Sequence, residues 1–141
     1  MVFCRGGQDP FCNFVTDGTH ELRCDVPVER GGRDSGFVPS TLIEAALAAC
    51  INVTLRKYAE TRGIKLQDAV VKVSMNRDDP RNIFMTEEIQ LMGELTKQER
   101  RALIKVAKQC PVTKILSGEF SFKVEEAESE INPEPARKLF A

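Results

Sequence analysis

Residues 41–63, TLIEAALAACINVTLRKYAETRG, form the stretch that decides the fold. Its first half is apolar at nearly every position, and its second half carries charged residues at helical spacing. Thr41 with Glu44 matches a capping box, Gly63 suits a C-terminal cap, and about 22 residues at 1.5 Å each predict a helix roughly 33 Å long. A helix that is hydrophobic on all sides must be covered on all sides. Because one small domain has few elements to do this, we expect a second copy of the chain to complete the burial.

The amino-acid composition is that of an ordinary globular protein. The chain has 141 residues, of which 42% are hydrophobic and 29% charged, and its net charge is -1. This length predicts a single domain over residues 1–141, with a variable N-terminal segment at 1–16 and a loose C-terminal tail at 127–141. The balanced charge gives no attraction to nucleic acid, and no stretch reaches the roughly 20 apolar residues of a membrane span. Since MVFCRGGQDP lacks the apolar core of a secretory signal, we expect a cytoplasmic protein without nucleic-acid or membrane partners.

Alternation of apolar and polar residues predicts strands on both sides of this helix. Before it, CNFVTDGTHELRCDV places an Asp17-Gly18 turn between two extended pieces. After it, DAVVKVSM and EIQLMGEL form a long hairpin through the polar NRDDPRN, and GEFSFKVEE (118–126) forms a last strand. The apolar faces are assigned to His20, Leu22, Cys24 and Val26; to Ala69, Val71, Val73 and Met75; to Ile89, Leu91, Gly93 and Leu95; and to Phe120, Phe122 and Val124. The solvent face of the strand before the helix is assigned to Glu21, Arg23 and Asp25.

A second helix is predicted to begin after Thr96, which forms a capping box with Glu99. One face of this helix is apolar, with Leu103, Val106, Ala107 and Cys110, and the opposite face carries Lys97, Arg101, Lys105 and Lys108. No aromatic residues interleave with these basic residues, so the stripe is interpreted as a solvated face and not as a nucleic-acid surface. Pro111 suits the first position of a third, short helix, which places Cys110 at its N-terminal cap.

The five cysteines contain no C-x-x-C pair, and the chain has one histidine. Structural zinc sites use closely spaced thiol or imidazole pairs, so no metal site and no cofactor are predicted, and His20 and Cys24 are interpreted as strand residues. In a reducing cytosol the thiols are expected to be free, catalytic or redox-sensing. The glycine-rich GGRDSG does not reproduce the spacing of a phosphate-binding loop.

Two of the cysteines stand in positions that differ in their chemistry. The thiolate is the nucleophilic form, and an ordinary thiol, with a pKa of about 8.5, must be activated at neutral pH. The N-H groups and dipole of a helix N-terminus favour an anion at Cys110. Cys50, in mid-helix among alanines, has no such feature in its own helix, and burial alone disfavours its charged form. A reactive Cys50 therefore requires a cation from elsewhere.

The order of these features resembles the OsmC/Ohr family of thiol-dependent peroxidases. The resemblance rests on a glycine-rich loop, Pro39 opening an alanine-rich helix with Cys50 in LAAC, a long hairpin, and Cys110 in QCPVTKILSG. It runs from about Asp17 to Val124. It implies an α+β fold in which β3-α-β2-α2-β subunits form an intertwined homodimer with a long buried central helix.

The resemblance also implies a reaction. Cys50 would attack organic hydroperoxides or hydrogen peroxide and be left as a sulfenic acid, which Cys110 would convert to a disulfide. A dithiol reductant, either a lipoylated protein or a thioredoxin-like one, would then restore both thiols. The apolar helix around Cys50 would admit a hydrophobic peroxide while keeping bulk water and other thiols away.

The chain departs from the family pattern at two positions. Ser40 stands where the family has a glutamate directly after the proline, and Gln8 stands where the family takes an arginine from its first glycine-rich loop. Arg5 and Arg33 are the candidates to replace that cation. One alternative is a non-catalytic dimer that binds a small hydrophobic ligand or acts as a redox sensor, and another is that both cysteines are inert core residues. The remaining cysteines have no place in the family pattern and are expected to be structural or adventitious: Cys4, Cys12 and Cys24.

Overall fold

Strands and helices follow one another along the chain in the order that the sequence predicts up to residue 116. The computed structural model describes residues 1–129 and 131. Its elements are β1 (Phe3–Gly6), β2 (Asn13–Thr16), β3 (Glu21–Cys24), a 3-10 turn (Val28–Arg30), α1 (Thr41–Arg62), β4 (Asp68–Asn76), β5 (Phe84–Met92), α2 (Lys97–Ala107) and α3 (Pro111–Leu116). The predicted α+β class is confirmed. The chain divides into two compact units, one formed by residues 1–42 with the segment from 121 onward and the other by residues 43–120.

In the first unit, β1, β2 and β3 form an antiparallel sheet in chain order. The predicted turn between β2 and β3 is confirmed, with Gly18 at a φ of +96°. The Asp17 carboxylate accepts hydrogen bonds from the backbone N-H groups of Thr19 and His20, at 2.8 Å and 2.7 Å. The bonds from His20 and Thr19 hold the pKa of Asp17 well below its ordinary value. A charged acceptor therefore fixes this turn.

The position of Asp25 corrects the predicted solvent face of β3. The strand ends at Cys24, and Asp25 is only 1% exposed. Its carboxylate accepts hydrogen bonds from the backbone N-H groups of Val26, Arg33 and Ser35 and from the Ser35 hydroxyl, at 2.7 to 3.1 Å. The bonds from Ser35, with those from Val26 and Arg33, lower the pKa of Asp25 to about 2 against the effect of burial. A buried charge is tolerated here because every bond it needs is supplied by the loop that follows.

The second unit is built around one face of α1. Buried residues on this helix recur every four positions and pack against the hairpin of β4 and β5 and against α2. The core cluster consists of Leu47, Ile51, Leu55, Ala59, Ala69, Leu91, Leu103, Ala107 and Cys110. On the opposite side of α1, Val53 is 63% exposed among the residues that the structure describes. Coverage by a second copy therefore stays a prediction.

Polar side chains on the first turns of α1 bond to β4. The Glu44 carboxylate accepts a hydrogen bond from the backbone N-H of Met75 at 2.7 Å. The predicted capping box at Thr41 is therefore wrong, because Thr41 is itself the first helical residue and its hydroxyl donates to the Val38 carbonyl at 2.8 Å. Further along, the Asn52 amide donates to the Ala69 carbonyl, and Arg56 forms an ion pair with Asp68.

The C-terminal end of α1 and the start of α2 agree with the sequence. Gly63 has a φ of +63°, and the Ile64 N-H bonds back to the Ala59 carbonyl at 2.9 Å, as in a Schellman cap. The capping box of Thr96 and Glu99 is present in full. None of the helices in the part of the chain that the structure describes is long and apolar enough to cross a membrane.

Two predicted strand segments are corrected. The second strand of the hairpin ends at Met92, and Gly93 turns the chain with a φ of +128°, so the alternation does not continue to Leu95. No strand is formed by residues 118–126. The Val124 side chain at the end of this segment is 92% exposed. The predicted loose tail lies largely outside the described residues.

Candidate active site

Cys110 is placed by the break between α2 and α3. Pro111 begins α3, which leaves Cys110 as its N-cap, as predicted. The Cys110 sulfur accepts a hydrogen bond from the backbone N-H of Thr113 at 3.3 Å and lies 3.0 Å from the Thr113 hydroxyl. The residue is fully buried at 0% exposure. The helix end thus offers an N-H group to the sulfur where a negative charge would develop.

Cys50 lies in the middle of α1, on the edge of the same core. It is half-buried, and it packs against the hydrophobic cluster that contains Cys110. The Thr54 hydroxyl donates its hydrogen bond to the Cys50 carbonyl oxygen, at 2.8 Å, and not to the Cys50 sulfur. The structure therefore brings the two predicted catalytic cysteines into one packed region.

A cavity of about 710 Å³ runs along α1 beside Cys50. Its lining includes the apolar residues Ala49 and Val53 from α1 and Pro111 from α3. Farther along the helix the lining includes Thr54, Lys57, Tyr58, Thr61 and Arg62. The Pro111 wall joins the cavity to the segment that carries Cys110. An apolar molecule with one polar group fits such a lining.

The basic residues of α1 that line this cavity stand well away from Cys50 along the helix. Lys57, the nearest basic residue that lines the cavity along α1, stands seven positions away, which is about 10 Å at 1.5 Å per residue. Arg62 lies farther along still, with its guanidinium 5.5 Å from the centre of the Tyr58 ring. An activating cation from outside α1 stays a prediction.

Three of the four predicted contact residues line a different cavity, in the first unit. Arg5, Gln8 and Arg33 belong to this cavity of about 800 Å³, whereas Ser40 is half-buried in the turn before α1 and lines neither cavity. Arg33 forms an ion pair with Asp9 at 3.0 Å, and Arg5 lies 3.9 Å from Glu21. Their proposed contact with Cys50 stays a prediction.

Sequence reasoning missed two organising residues. The first is Thr113, the partner of the Cys110 sulfur. A local signal for it exists, because an N-cap side chain bonds the backbone N-H of the residue three positions later. Asp25 as the centre of the 31–36 loop had none, because alternation assigned it to solvent.

The other three cysteines lie in the first unit. All five thiols are free, with Cys4 exposed and Cys12 and Cys24 buried. Burial raises the pKa of Cys24, with further contributions from Cys4 and Cys12. Within residues 1–129 and 131, no His, Cys, Asp or Glu side chains gather into a group that could hold a metal ion.

Known proteins resemble this chain in sequence and in fold. The family model described as OsmC-like protein matches residues 32–125. No curated protein matches the chain significantly. Similar solved structures include a putative osmotic stress induced and detoxification response protein from Psychrobacter arcticus, with 22% identity, a TM-score of 0.69 and coverage of 81% of this chain and 85% of that one.

Two further structures show the same fold. An organic hydroperoxide resistance protein OsmC from Legionella pneumophila has 25% identity and a TM-score of 0.61, over 84% of this chain and 88% of that one. An OsmC-like protein from Mycoplasma pneumoniae has 18% identity and a TM-score of 0.71, over 84% and 86%. With the family match spanning most of the chain, including both Cys50 and Cys110, the protein belongs to the OsmC-like family.

Proposed function

We propose that the protein is a thiol-dependent peroxidase that reduces organic hydroperoxides or hydrogen peroxide, with Cys50 as the nucleophile and Cys110 as the resolving thiol. The observation that carries the proposal is the packing of Cys50, beside an apolar cavity, against the core cluster that contains Cys110. The similar protein from Legionella pneumophila is described as an organic hydroperoxide resistance protein, which is consistent with this chemistry.

The reaction proceeds in two steps. The Cys50 thiolate attacks the outer peroxide oxygen, the O-O bond breaks, and the alkoxide takes a proton and leaves as an alcohol. The Cys50 sulfenic acid then reacts with the Cys110 thiol, which forms an S-S bond and releases water. The N-H of Thr113 supports the attack by stabilising negative charge on the Cys110 sulfur. A disulfide requires the two Cα atoms to come within about 7 Å.

Activation of Cys50 requires a cation, which we assign to Arg5 or Arg33. Gln8 and Ser40 are proposed as polar contacts for the peroxide or the thiolate. If one of the arginines serves this role, its replacement by glutamine slows oxidation of Cys50, whereas Arg101→Gln on the outer face of α2 does not. Equal rates in Arg5→Gln, Arg33→Gln and the unmodified protein would remove both arginines from the site.

The remaining partners follow from the same proposal. A dithiol reductant, lipoylated or thioredoxin-like, returns the disulfide to two thiols, so that each turnover consumes one peroxide and two electrons. We propose that the protein acts in the cytoplasm as a homodimer.

The test is mass analysis of the reduced protein after one equivalent of cumene hydroperoxide. A two-cysteine cycle predicts a loss of about 2 Da and a peptide that joins Cys50 to Cys110. Cys50→Ser abolishes rapid peroxide consumption, and Cys110→Ser stops at a sulfenic acid about 16 Da heavier that dimedone traps. Cys4→Ser, which replaces an exposed thiol, is the matched control and keeps the wild-type rate.

Two results would contradict the proposed two-cysteine cycle. If Cys50→Ser consumes peroxide as fast as the unmodified protein, or if the mapped disulfide omits Cys50, the proposed cycle is wrong.

The apolar lining of the cavity supports a second candidate function, the binding of a small hydrophobic ligand without catalysis. Val53 and Pro111 line a space of about 710 Å³, which lies within the usual range of small-molecule sites. Native mass spectrometry that finds a retained ligand, together with peroxide consumption no faster than a free small thiol, would favour this candidate over the peroxidase.

A further inference from the structure

The cavity in the first unit has an excess of positive charge. Of the residues that line its volume of about 800 Å³, three are arginines and one is a carboxylate, Asp9. Arg33 uses part of its guanidinium to bond Asp9 at 3.0 Å, and Arg5 reaches only a loose pair with Glu21 at 3.9 Å. A guanidinium has five N-H donors, so these two contacts leave most of the donors available.

Arg23 is the least compensated of the three cations. Arg23 pairs with Phe14 on the neighbouring strand. Its guanidinium lies 5.3 Å from the centre of the Phe14 ring. Among the residues that the structure describes, no carboxylate forms an ion pair with it. Stacking on a ring orients the guanidinium without neutralising it. Arg23 is therefore held in place and ready to bind an anion.

The walls of the cavity are built by bonded loops and not by loose side chains. Asp25 holds the backbone of Arg33 and Ser35, and a Cβ on Gly36 would lie 2.5 Å from the Arg23 carbonyl, so the loop fits only with glycine there. On the other side, the Gly7 N-H bonds the Cys12 carbonyl at 2.8 Å. Because these loops are already ordered by their own hydrogen bonds, the entropic cost of ordering them when a ligand binds is small.

We propose that this cavity binds a small organic oxyanion, a carboxylate or a phosphate ester, through Arg23 with Arg5 and Arg33. Guanidinium groups bind both anions by paired N-H bonds, and the Gln8 amide supplies a neutral donor beside them. The volume is that of an ordinary small-molecule site. The proposal shares Arg5, Arg33 and Gln8 with the peroxidase site proposed above, so its test is centred on Arg23, which that proposal does not use.

The test is calorimetric titration of the protein with citrate and with inorganic phosphate, each against sodium chloride at matched ionic strength. We expect saturable binding of one anion per chain, weakened about tenfold or more in Arg23→Gln and less in Arg23→Lys. Arg30→Gln is the matched control, since Arg30 is an exposed arginine of the same unit that does not line the cavity.

Alkylation of cysteines by iodoacetamide provides a second readout. Cys12 lines the cavity, so a bound anion should slow its alkylation several-fold. Cys4 is exposed and neighbours Arg5 in β1, and therefore points to the opposite face of the sheet, so its rate should not change.

The outcome of the titration either identifies the class of anion or overturns the proposal. Binding of phosphate but not citrate assigns a phosphate ester, the reverse assigns a carboxylate, and binding of both confirms the shared chemistry. If neither anion binds more tightly than chloride, or if Arg23→Gln binds as tightly as the unmodified protein, the proposal is overturned.

Discussion

At the scale of single residues, Asp25 shows how one buried charge organises a loop. Its carboxylate bonds the backbone of Val26, Arg33 and Ser35, so three otherwise unpaired N-H groups are satisfied by one side chain. The amide of asparagine could accept through only one oxygen. The ionised carboxylate is therefore the form that the loop requires.

Replacement of Asp25 by asparagine should make the protein less stable at neutral pH. The pKa of Asp25 is lowered from an ordinary 3.8 to about 2 in the folded protein, so its stabilisation is fully present above about pH 4 and is lost as the pH falls through about 2. The urea midpoint of Asp25→Asn should therefore lie below that of the unmodified protein at pH 7, and the gap should narrow between about pH 4 and 2. Asp34→Asn, an exposed neighbour in the same loop, is the control. A gap that does not change with pH would refute this assignment.

Gly32 is a second residue on which the same loop depends. A Cβ at this position would overlap the Val26 carbonyl oxygen and lie 2.8 Å from the Asp25 carboxylate. Gly32→Ala should therefore lower the free energy of unfolding by about 2 kcal/mol or more, measured by denaturant titration. Gly6→Ala, where no atom lies within 4 Å of the added Cβ, should leave it nearly unchanged. Equal effects of the two substitutions would contradict the steric explanation.

At the scale of elements, the two short C-terminal helices begin with different caps. The Thr96 hydroxyl and the Glu99 carboxylate bond each other's backbone N-H groups at the start of α2. At the start of α3, the Cys110 sulfur takes the place of the usual oxygen. Sulfur is a weaker acceptor, so α3 begins with a weaker cap, at the residue whose thiol the proposed reaction uses.

Thr96→Ala should cost about 1 kcal/mol of unfolding free energy, because it removes the side-chain acceptor for the Glu99 N-H. Thr96→Ser keeps the hydroxyl and should recover most of the loss. Both values come from urea unfolding followed by far-ultraviolet circular dichroism. If alanine and serine behave alike at this position, the cap does not contribute to stability.

At the scale of the whole molecule, exposed apolar residues bear on the proposed homodimer. A dimer in solution would have twice the chain mass of 15.8 kDa. Val124 is 92% exposed in the single chain, so a charge there should cost little unless a second copy covers it. Val124→Asp should therefore weaken the dimer, measured by sedimentation equilibrium.

Val28→Asp serves as the control for this substitution, because Val28 is an exposed valine outside the segment 118–126. A monomer in the unmodified protein, or an unchanged dimer in Val124→Asp, would count against an interface at this segment.

The sequence predicts those parts of the molecule that local signals determine. The end of α1 at Gly63, the capping box at Thr96 and the cap at Cys110 each depend on residues a few positions apart. Asp25 and Glu44 were misassigned because their partners lie 10 and 31 positions away, and no pattern within one segment indicates such bonds.

The residues of the candidate site also differ in whether local sequence signals predict them. Cys50 and Cys110 are predicted from their own helices and from the family resemblance, and their catalytic roles stay a prediction. The residues that touch Cys50 from other segments depend on tertiary packing, which alternation and capping signals do not contain.

The bonds between α1 and β4 also have a consequence for self-association. β4 is one edge of a two-stranded sheet, and edge strands expose N-H and C=O groups that can pair with a strand of another molecule. Here the Ala69 carbonyl is occupied by Asn52 and the Met75 N-H by Glu44, one near each end of the strand. An incoming strand would have to displace both side chains before it could form a full ladder. Asn52 and Glu44, on the same helix as Cys50, thus protect the edge of β4 from pairing with a strand of another molecule.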